Sequence, residues 1–373
     1  MTVDELTALV LADLATACEP PAPAHPWCAG AVVLAGVGED IVLHEAAGHA
    51  LRYAAWDERA EEPVELPPHR WLPARRDTVF DLASVTKLFT AIVAVQQTER
   101  GVIDLDTEVA YYLPEFGAAG KQDVTVRQLL THTSGLPAEL PFHASPEGPQ
   151  RLRLLWEQRP LTPPGEVFRY SDPNLITLGL LLERVTGTRL DRLVADGVTG
   201  PLGMTSTRFN PPAGWRHRIA ATEDQRRPWG RLDRGLVHGE VHDENAHALG
   251  GIAGHAGLFA DAADLGRLCR ALLSGGAGVL RPQSVALMTA DHGTPGHPRG
   301  LGFDLDQPSF MGALAGPRTV GHTGFTGTGV VLDHDSGAWV VLLANSVHPV
   351  RTRRSGHGPR PSVATHVARY AAG

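Results

Sequence analysis

Apolar residues run nearly continuously at the two ends of this chain and recur at helical spacing through its middle. Val3, Leu6, Val10 and Leu14 lie three or four apart, which predicts an amphipathic amino-terminal helix packed on the body of the protein. Residues 31–34 and 41–43 read as strands joined through a glycine-containing turn at 36–40. Near the other end, residues 329–332 and 339–343 flank the turn at 333–337, a second hairpin. Val363, Val367 and Tyr370 then predict a terminal helix started by Pro361. Strands at both ends with helices outside them predict one antiparallel sheet completed by the two ends of the chain.

The middle has a different period. Helical patterns run through residues 84–100, 125–130, 151–156 and 174–185, separated by loops rich in proline and glycine. The expected organisation is α/β plus all-α. Residues 1–83 and 250–373 form a discontinuous sheet domain flanked by helices, and residues 84–249 an inserted, mostly helical domain with cleft loops. Residues 211–245 have little periodicity and many arginines and histidines, which predicts a long ordered loop region over a site. No internal repeat is present.

Composition narrows the function classes. A chain of 373 residues with 43% hydrophobic content supplies a substantial core. The formal charge is −8 and the arginines are dispersed, so no face for nucleic acid is expected. The densest basic run, Arg351, Arg353 and Arg354, reads as a solvated loop. No apolar run approaches the roughly 20 residues that span a bilayer. Asp4 and Glu5 stand where a secretory leader would be basic, so a soluble cytoplasmic protein is expected. Cys18, Cys28 and Cys269 are odd in number, separated, and lack metal-type spacing; buried free thiols are expected rather than a disulfide framework.

The chemistry is concentrated around one of only two lysines. Lys87 follows Ser84 by three positions in Phe80-Asp81-Leu82-Ala83-Ser84-Val85-Thr86-Lys87. Arginine supplies nearly all other positive charge, so a lysine here suggests an amine that can lose its proton. On a helix beginning near Ser84 the two side chains share a face. Burial and the helix amino terminus would both lower the lysine pKa, leaving an amine able to take the serine proton. The alternative is a helix-capping serine beside a surface lysine.

Further segments decide between them. Tyr170-Ser171-Asp172 follows the turn at 163–165. His322-Thr323-Gly324-Phe325-Thr326-Gly327 leads into the second hairpin, and Leu130-Thr131-His132-Thr133-Ser134-Gly135-Leu136 lies between. With Ser84 and Lys87 these resemble the serine β-lactamase and DD-peptidase superfamily, particularly its class C-like branch and the related carboxylesterases, over about residues 30–345. The resemblance implies a β-lactamase/transpeptidase-like fold with the active site between the two domains. It implies Ser84 as nucleophile, Lys87 as its proton acceptor or shuttle, and Tyr170 as partner to that lysine and proton donor to the leaving group, with a lowered phenol pKa. The backbone N–H groups of Ser84 and Phe325 would form the oxyanion hole. His322, Thr323, Gly324 and Asp172 would border the substrate, with Gly324 allowing its close approach.

Two departures bear on substrate. His322 replaces the family's usual lysine and is a weaker anchor for a substrate carboxylate. Asp172 replaces an asparagine and, ionised, cannot donate to a substrate amide; it would instead pair with Lys87 or a neighbouring loop. Residues 239–259 also resemble the superfamily and are expected to line or support the cleft. His238, His242, Glu244 and His247 are close in sequence, but their spacing is no known ligand set, so loop hydrogen bonding is expected and no metal or cofactor. His132 is expected to shape the helical domain rather than act as base.

The expected function is a serine hydrolase forming an acyl-enzyme at Ser84, acting on small-molecule or acyl esters. An acyltransferase passing the acyl group to an alcohol or amine is the first alternative. An amide hydrolase of the DD-peptidase or β-lactamase type and a binding homologue without turnover are the others. Oligomeric state is left open.

Overall fold

The amino-terminal helix α1 (Val3–Cys18) begins at Thr2, whose hydroxyl accepts the Glu5 N–H while the Glu5 carboxylate accepts the Thr2 N–H. This reciprocal cap satisfies two amide groups that a helix start leaves unpaired. Leu6, Val10 and Leu14 are fully buried, as their spacing predicts. The computed structural model describes residues 1–21, 25–353 and 356–373.

The main sheet takes strands from both ends of the chain. These are β1 (Gly30–Val37), β2 (Asp40–Leu51) and β3 (Leu72–Pro73) from the first part, and β4 (Asp304–Leu305), β5 (Thr319–Thr323), β6 (Gly329–Asp333) and β7 (Ala338–Ala344) from the last. Their order is β3-β2-β1-β7-β6-β5-β4. Neighbours are antiparallel, and β1 meets β7 with Val33 opposite Leu342. Alternate residues serve two cores. Val33, Val331, Val340 and Leu342 pack with α1 on one face, while Val32, Leu34, Val330, Val341 and Leu343 face the larger core. Burial on both faces explains why these strands read as unbroken apolar runs.

Four more helices frame the sheet and the site: α2 (Thr86–Glu99), α3 (Asp172–Thr186), α4 (Ala262–Leu273) and α5 (Arg360–Ala371). Helix α5 joins α1 on the outer face through Val363 and Val367, and α4 covers the inner face through Leu265 and Leu268. Helix α2 is buried from Thr86 to Gln97, so it is a core element rather than a surface helix with one apolar stripe. Helix α4 was not singled out by periodicity although Asp261 caps it, accepting the Asp264 N–H. The small sheet that pairs Phe80–Asp81 with Leu258–Ala260, and that strand with Arg208–Phe209, is also too short to show a period.

The buried free thiols are as expected, and long-range packing revises the reading of Arg351. Cys18 and Cys28 are distinct in sequence yet lie 3.7 Å apart sulfur to sulfur, both buried and both free. Arg351 is not part of a solvated loop; it pairs with Glu223 at 2.6 Å and with Glu244, while Arg354 lies outside the described residues. Lys121, the second lysine, is also buried, donating to the carbonyls of Ala118, Trp156 and Gln158. Among the described residues, no helix is long and apolar enough to cross a membrane.

Candidate active site

Ser84 sits in a short 3-10 turn (Ala83–Val85) that feeds directly into α2. The turn is sharp. Ala83 has φ of 45°, in the left-handed region that costs an alanine of order 1–3 kcal/mol. Asp81 holds it there, its buried carboxylate accepting the Ala83 N–H at 2.8 Å and the His242 N–H at 2.6 Å. Burial raises the Asp81 pKa against those two bonds. The carbonyl of Asp81 accepts the Thr326 hydroxyl, and that of Leu82 accepts the Thr328 hydroxyl, at 2.7 and 2.9 Å. These bonds fix the turn after β5, with Phe325, against the turn that carries Ser84.

Gly324 is required by this closeness. A Cβ there would stand 2.1 Å from the Thr328 hydroxyl and 2.4 Å from the Leu82 carbonyl. The protein's own turn therefore requires a glycine here. Phe325 is 42% exposed, and its ring stacks on His242 at 5.6 Å.

One helical turn after Ser84, Lys87 is fully buried. Its ammonium donates to Ser84 Oγ at 2.8 Å and to the His255 carbonyl at 3.2 Å, and pairs with Asp172 Oδ1 at 2.8 Å. Tyr170 completes the group. Its ring lies 4.8 Å from Lys87 Nζ, and Lys87 and Ser84 stand near enough to its hydroxyl to favour the phenolate. The predicted direction of both pKa values is reversed. Burial disfavours the Lys87 ammonium, but Asp172 and Tyr170 outweigh it and raise the lysine pKa. Burial likewise raises that of Tyr170, with Lys87 opposing. The resting pair is therefore an ammonium and a neutral phenol.

The surroundings of Tyr170 are mostly cationic or neutral-imidazole groups. His132 stacks on its ring at 4.6 Å, and His132 Nδ1 accepts the Ser171 N–H at 3.0 Å. Burial and the neighbouring Arg299 hold His132 neutral, far below its usual pKa. His322 is buried 6.0 Å away, bonded through Nδ1 to the Thr323 carbonyl, and burial draws its pKa down to about 4. Arg299 is fully buried beside Asp304, its guanidinium 5.8 Å from the Tyr170 ring. Two of its nitrogens, Nε and Nη2, have no protein partner.

The structure thus brings Ser84, Lys87, Tyr170 and Asp172 into contact, with His322, Thr323, Gly324 and Phe325 on the strand and turn beside them. The histidines weighed as ligands do not share a centre: His238 bonds to the Ile219 carbonyl, His242 to Glu223, and Glu244 to Arg351. Among the described residues, the ligand-type atoms that converge, within 4.8 Å, belong to Asp172, Asp243 and His255. The Lys87 ammonium shares that corner and opposes a cation there.

Sequence reasoning passed over Asp81, Asp243, His255 and Arg299. Asp81 lay within the quoted serine run, and Asp243 and His255 within residues 239–259. His255 Nε2 meets Asp243 at 2.9 Å, and Asp243 also accepts the Ala246 N–H. Nothing local marks Arg299, whose place depends on the pairing of β4 with β5.

The Beta-lactamase family model matches residues 15–360. A protein of Escherichia coli (strain K12), provisionally named a D-alanyl-D-alanine carboxypeptidase, is 34% identical over 346 residues, 83% of this chain and 76% of that one. The relative of the same name in Salmonella enteritidis PT4 is 33% identical over 344 residues, with the same coverage. Among solved structures, EstCE1, described as a hydrolase with promiscuous acyltransferase activity, superposes with a TM-score of 0.72 at 25% identity, covering 98% of this chain and 99% of that one. An octameric penicillin-binding protein homologue from Pyrococcus abyssi shares the fold at 20% identity, with a TM-score of 0.69 over 99% of this chain and 77% of its own. The chain belongs to the β-lactamase family and is a serine hydrolase of that superfamily.

Proposed function

We propose that the protein is an esterase that forms an acyl-enzyme at Ser84. The observation that carries this reading is the contact of Ser84 Oγ with Lys87 Nζ at 2.8 Å, with the Tyr170 ring 4.8 Å from the same nitrogen. In the competent form Lys87 is a neutral amine. It accepts the Ser84 proton as Oγ bonds to the ester carbonyl carbon, and the backbone N–H groups of Ser84 and Phe325 receive the developing oxyanion. Tyr170 protonates the departing alkoxide as the C–O bond breaks, and is reprotonated from Lys87. Water then attacks the acyl-enzyme, giving its proton back along the same route, and frees the acid and Ser84. An alcohol or amine in place of water makes the same site an acyltransferase.

Arg299 favours a second reading. A buried guanidinium with two unpartnered nitrogens beside Tyr170 suits a substrate that carries a carboxylate, in keeping with the name of the Escherichia coli relative. Hydrolysis of p-nitrophenyl acetate by wild type and Ser84→Ala, both checked for folding, tests the acyl-enzyme. The variant should lose roughly 10³- to 10⁶-fold in rate. Turnover retained in folded Ser84→Ala protein would remove Ser84 from the mechanism. Release of D-alanine from a D-alanyl-D-alanine peptide, without ester turnover, would favour the second reading.

A further inference from the structure

The wall that supplies an acceptor to Lys87 has a second face. Gly254 and His255 present their carbonyls to Thr90 and Lys87, and on the other side Gly254 lines a cavity of about 560 Å³. Leu152, Ile176, Leu180, Leu190, Leu249 and Ile252 form its apolar sides. Its floor is a backbone-to-backbone contact. A Cβ on Gly254 would come within 1.9 Å of the Leu175 carbonyl of α3, and one on Gly179 would meet Gly254 at 3.3 Å. Two glycines bring the chain segments together while no side chain rises from the floor to fill the space.

One arginine at this cavity lacks a carboxylate partner. Glu183 accepts the Leu190 N–H at 2.8 Å, and Arg189 pairs with Asp191 at 3.1 Å. Among the described residues, Arg151 bonds only to the carbonyls of Ala248 and Ser145. Its Nε is buried without a partner, and among the described residues no carboxylate pairs with it. A guanidinium held in place by two carbonyls at the edge of an apolar cavity is a fixed positive charge without a carboxylate partner.

We propose that this cavity is a second ligand site, separate from the Ser84 cleft, for a small amphipathic carboxylate. The volume lies within the range of small-molecule pockets, roughly 300–1,000 Å³. The apolar tail lies among the leucines and isoleucines, and the carboxylate meets Arg151. The site does not depend on the chemistry at Ser84.

Calorimetric titration of octanoate and, separately, 1-octanol into wild type, Arg151→Met and Leu180→Trp tests it, with thermal unfolding as the check on folding. Wild type should bind one octanoate per chain. Arg151→Met should weaken octanoate roughly ten- to a hundredfold, the loss of one charge-assisted hydrogen bond, while 1-octanol binding stays within about threefold. Leu180→Trp should abolish both by filling the cavity. Leu249→Trp fills it from the opposite wall if that variant fails to fold. No binding at millimolar octanoate, or equal binding by wild type, Arg151→Met and the filled variants, overturns the proposal; the second result would place octanoate elsewhere, including the Ser84 cleft.

Discussion

Replacing Asp172 by asparagine isolates what holds the proton on Lys87. At 2.8 Å two unit charges attract by roughly 6 kcal/mol for an effective dielectric constant of 20, before either group's desolvation is counted. Lys87 is fully buried and the Asp172 side chain is 23% exposed, so much of that attraction offsets the loss of hydration. Removing one partner from such a pair costs about 3–5 kcal/mol when the other stays charged. Asparagine keeps the shape and removes the charge. The folded protein holds the Lys87 proton more tightly than the unfolded chain, because its pKa is raised above the ordinary 10.5. That part of the stability is complete below 10.5 and is lost as pH rises through the higher folded value. Asp172→Asn should therefore lose about 3–5 kcal/mol near neutral pH, with a smaller deficit at alkaline pH where the lysine is neutral. Urea unfolding across pH measures this. In the same variant the rising limb of kcat/KM for p-nitrophenyl acetate, set by loss of the Lys87 proton, should move to lower pH, since burial is then opposed by Tyr170 without Asp172. A limb that stays in place, with a stability deficit below about 1 kcal/mol, would refute the assignment of Asp172 as the group that keeps Lys87 protonated.

Tyr170→Phe removes a hydroxyl while leaving the ring stacked on His132, so the fold should stand while kcat/KM for an ester falls about 10²- to 10⁴-fold; steady-state kinetics on the folded variant check this. Gly324→Ala places a methyl against the Thr328 hydroxyl and the Leu82 carbonyl. It should cost about 1–3 kcal/mol and lower kcat/KM by displacing the Phe325 amide, seen by thermal unfolding and kinetics together. Glu223 is held at about 2, His242 and Arg351 outweighing its burial. Its depressed pKa contributes stability that is present above the ordinary 4.5 and lost as pH falls toward 2. The unfolding midpoint of wild type should fall through that window, and Glu223→Gln, already destabilised by about 3–5 kcal/mol, should show a flatter dependence.

What the sequence revealed follows from what is local. Both hairpins, α1 and α5 were legible because their apolar periods act over a few residues. The Ser84–Lys87 spacing placed two groups on one helical turn without further information. The charge state of Lys87 was not legible from that spacing. Helix position and burial alone predict a lowered pKa, and the opposite outcome depends on Asp172, 85 positions away in sequence, arriving 2.8 Å from Nζ. The packing of Leu82 and Thr328 against Gly324 was not legible, since only the closed fold brings them together. Arg299 and the Cys18–Cys28 approach depend wholly on strand pairing and chain reversal, which no short pattern encodes.

A covalent intermediate on Ser84 can be trapped directly. Wild type mixed with a fluorophosphonate ester, digested and analysed by mass spectrometry, should carry a single phosphonyl group on the peptide containing Ser84, with esterase activity lost in proportion. Labelling at another residue, or full labelling of Ser84 with activity intact, would contradict the account.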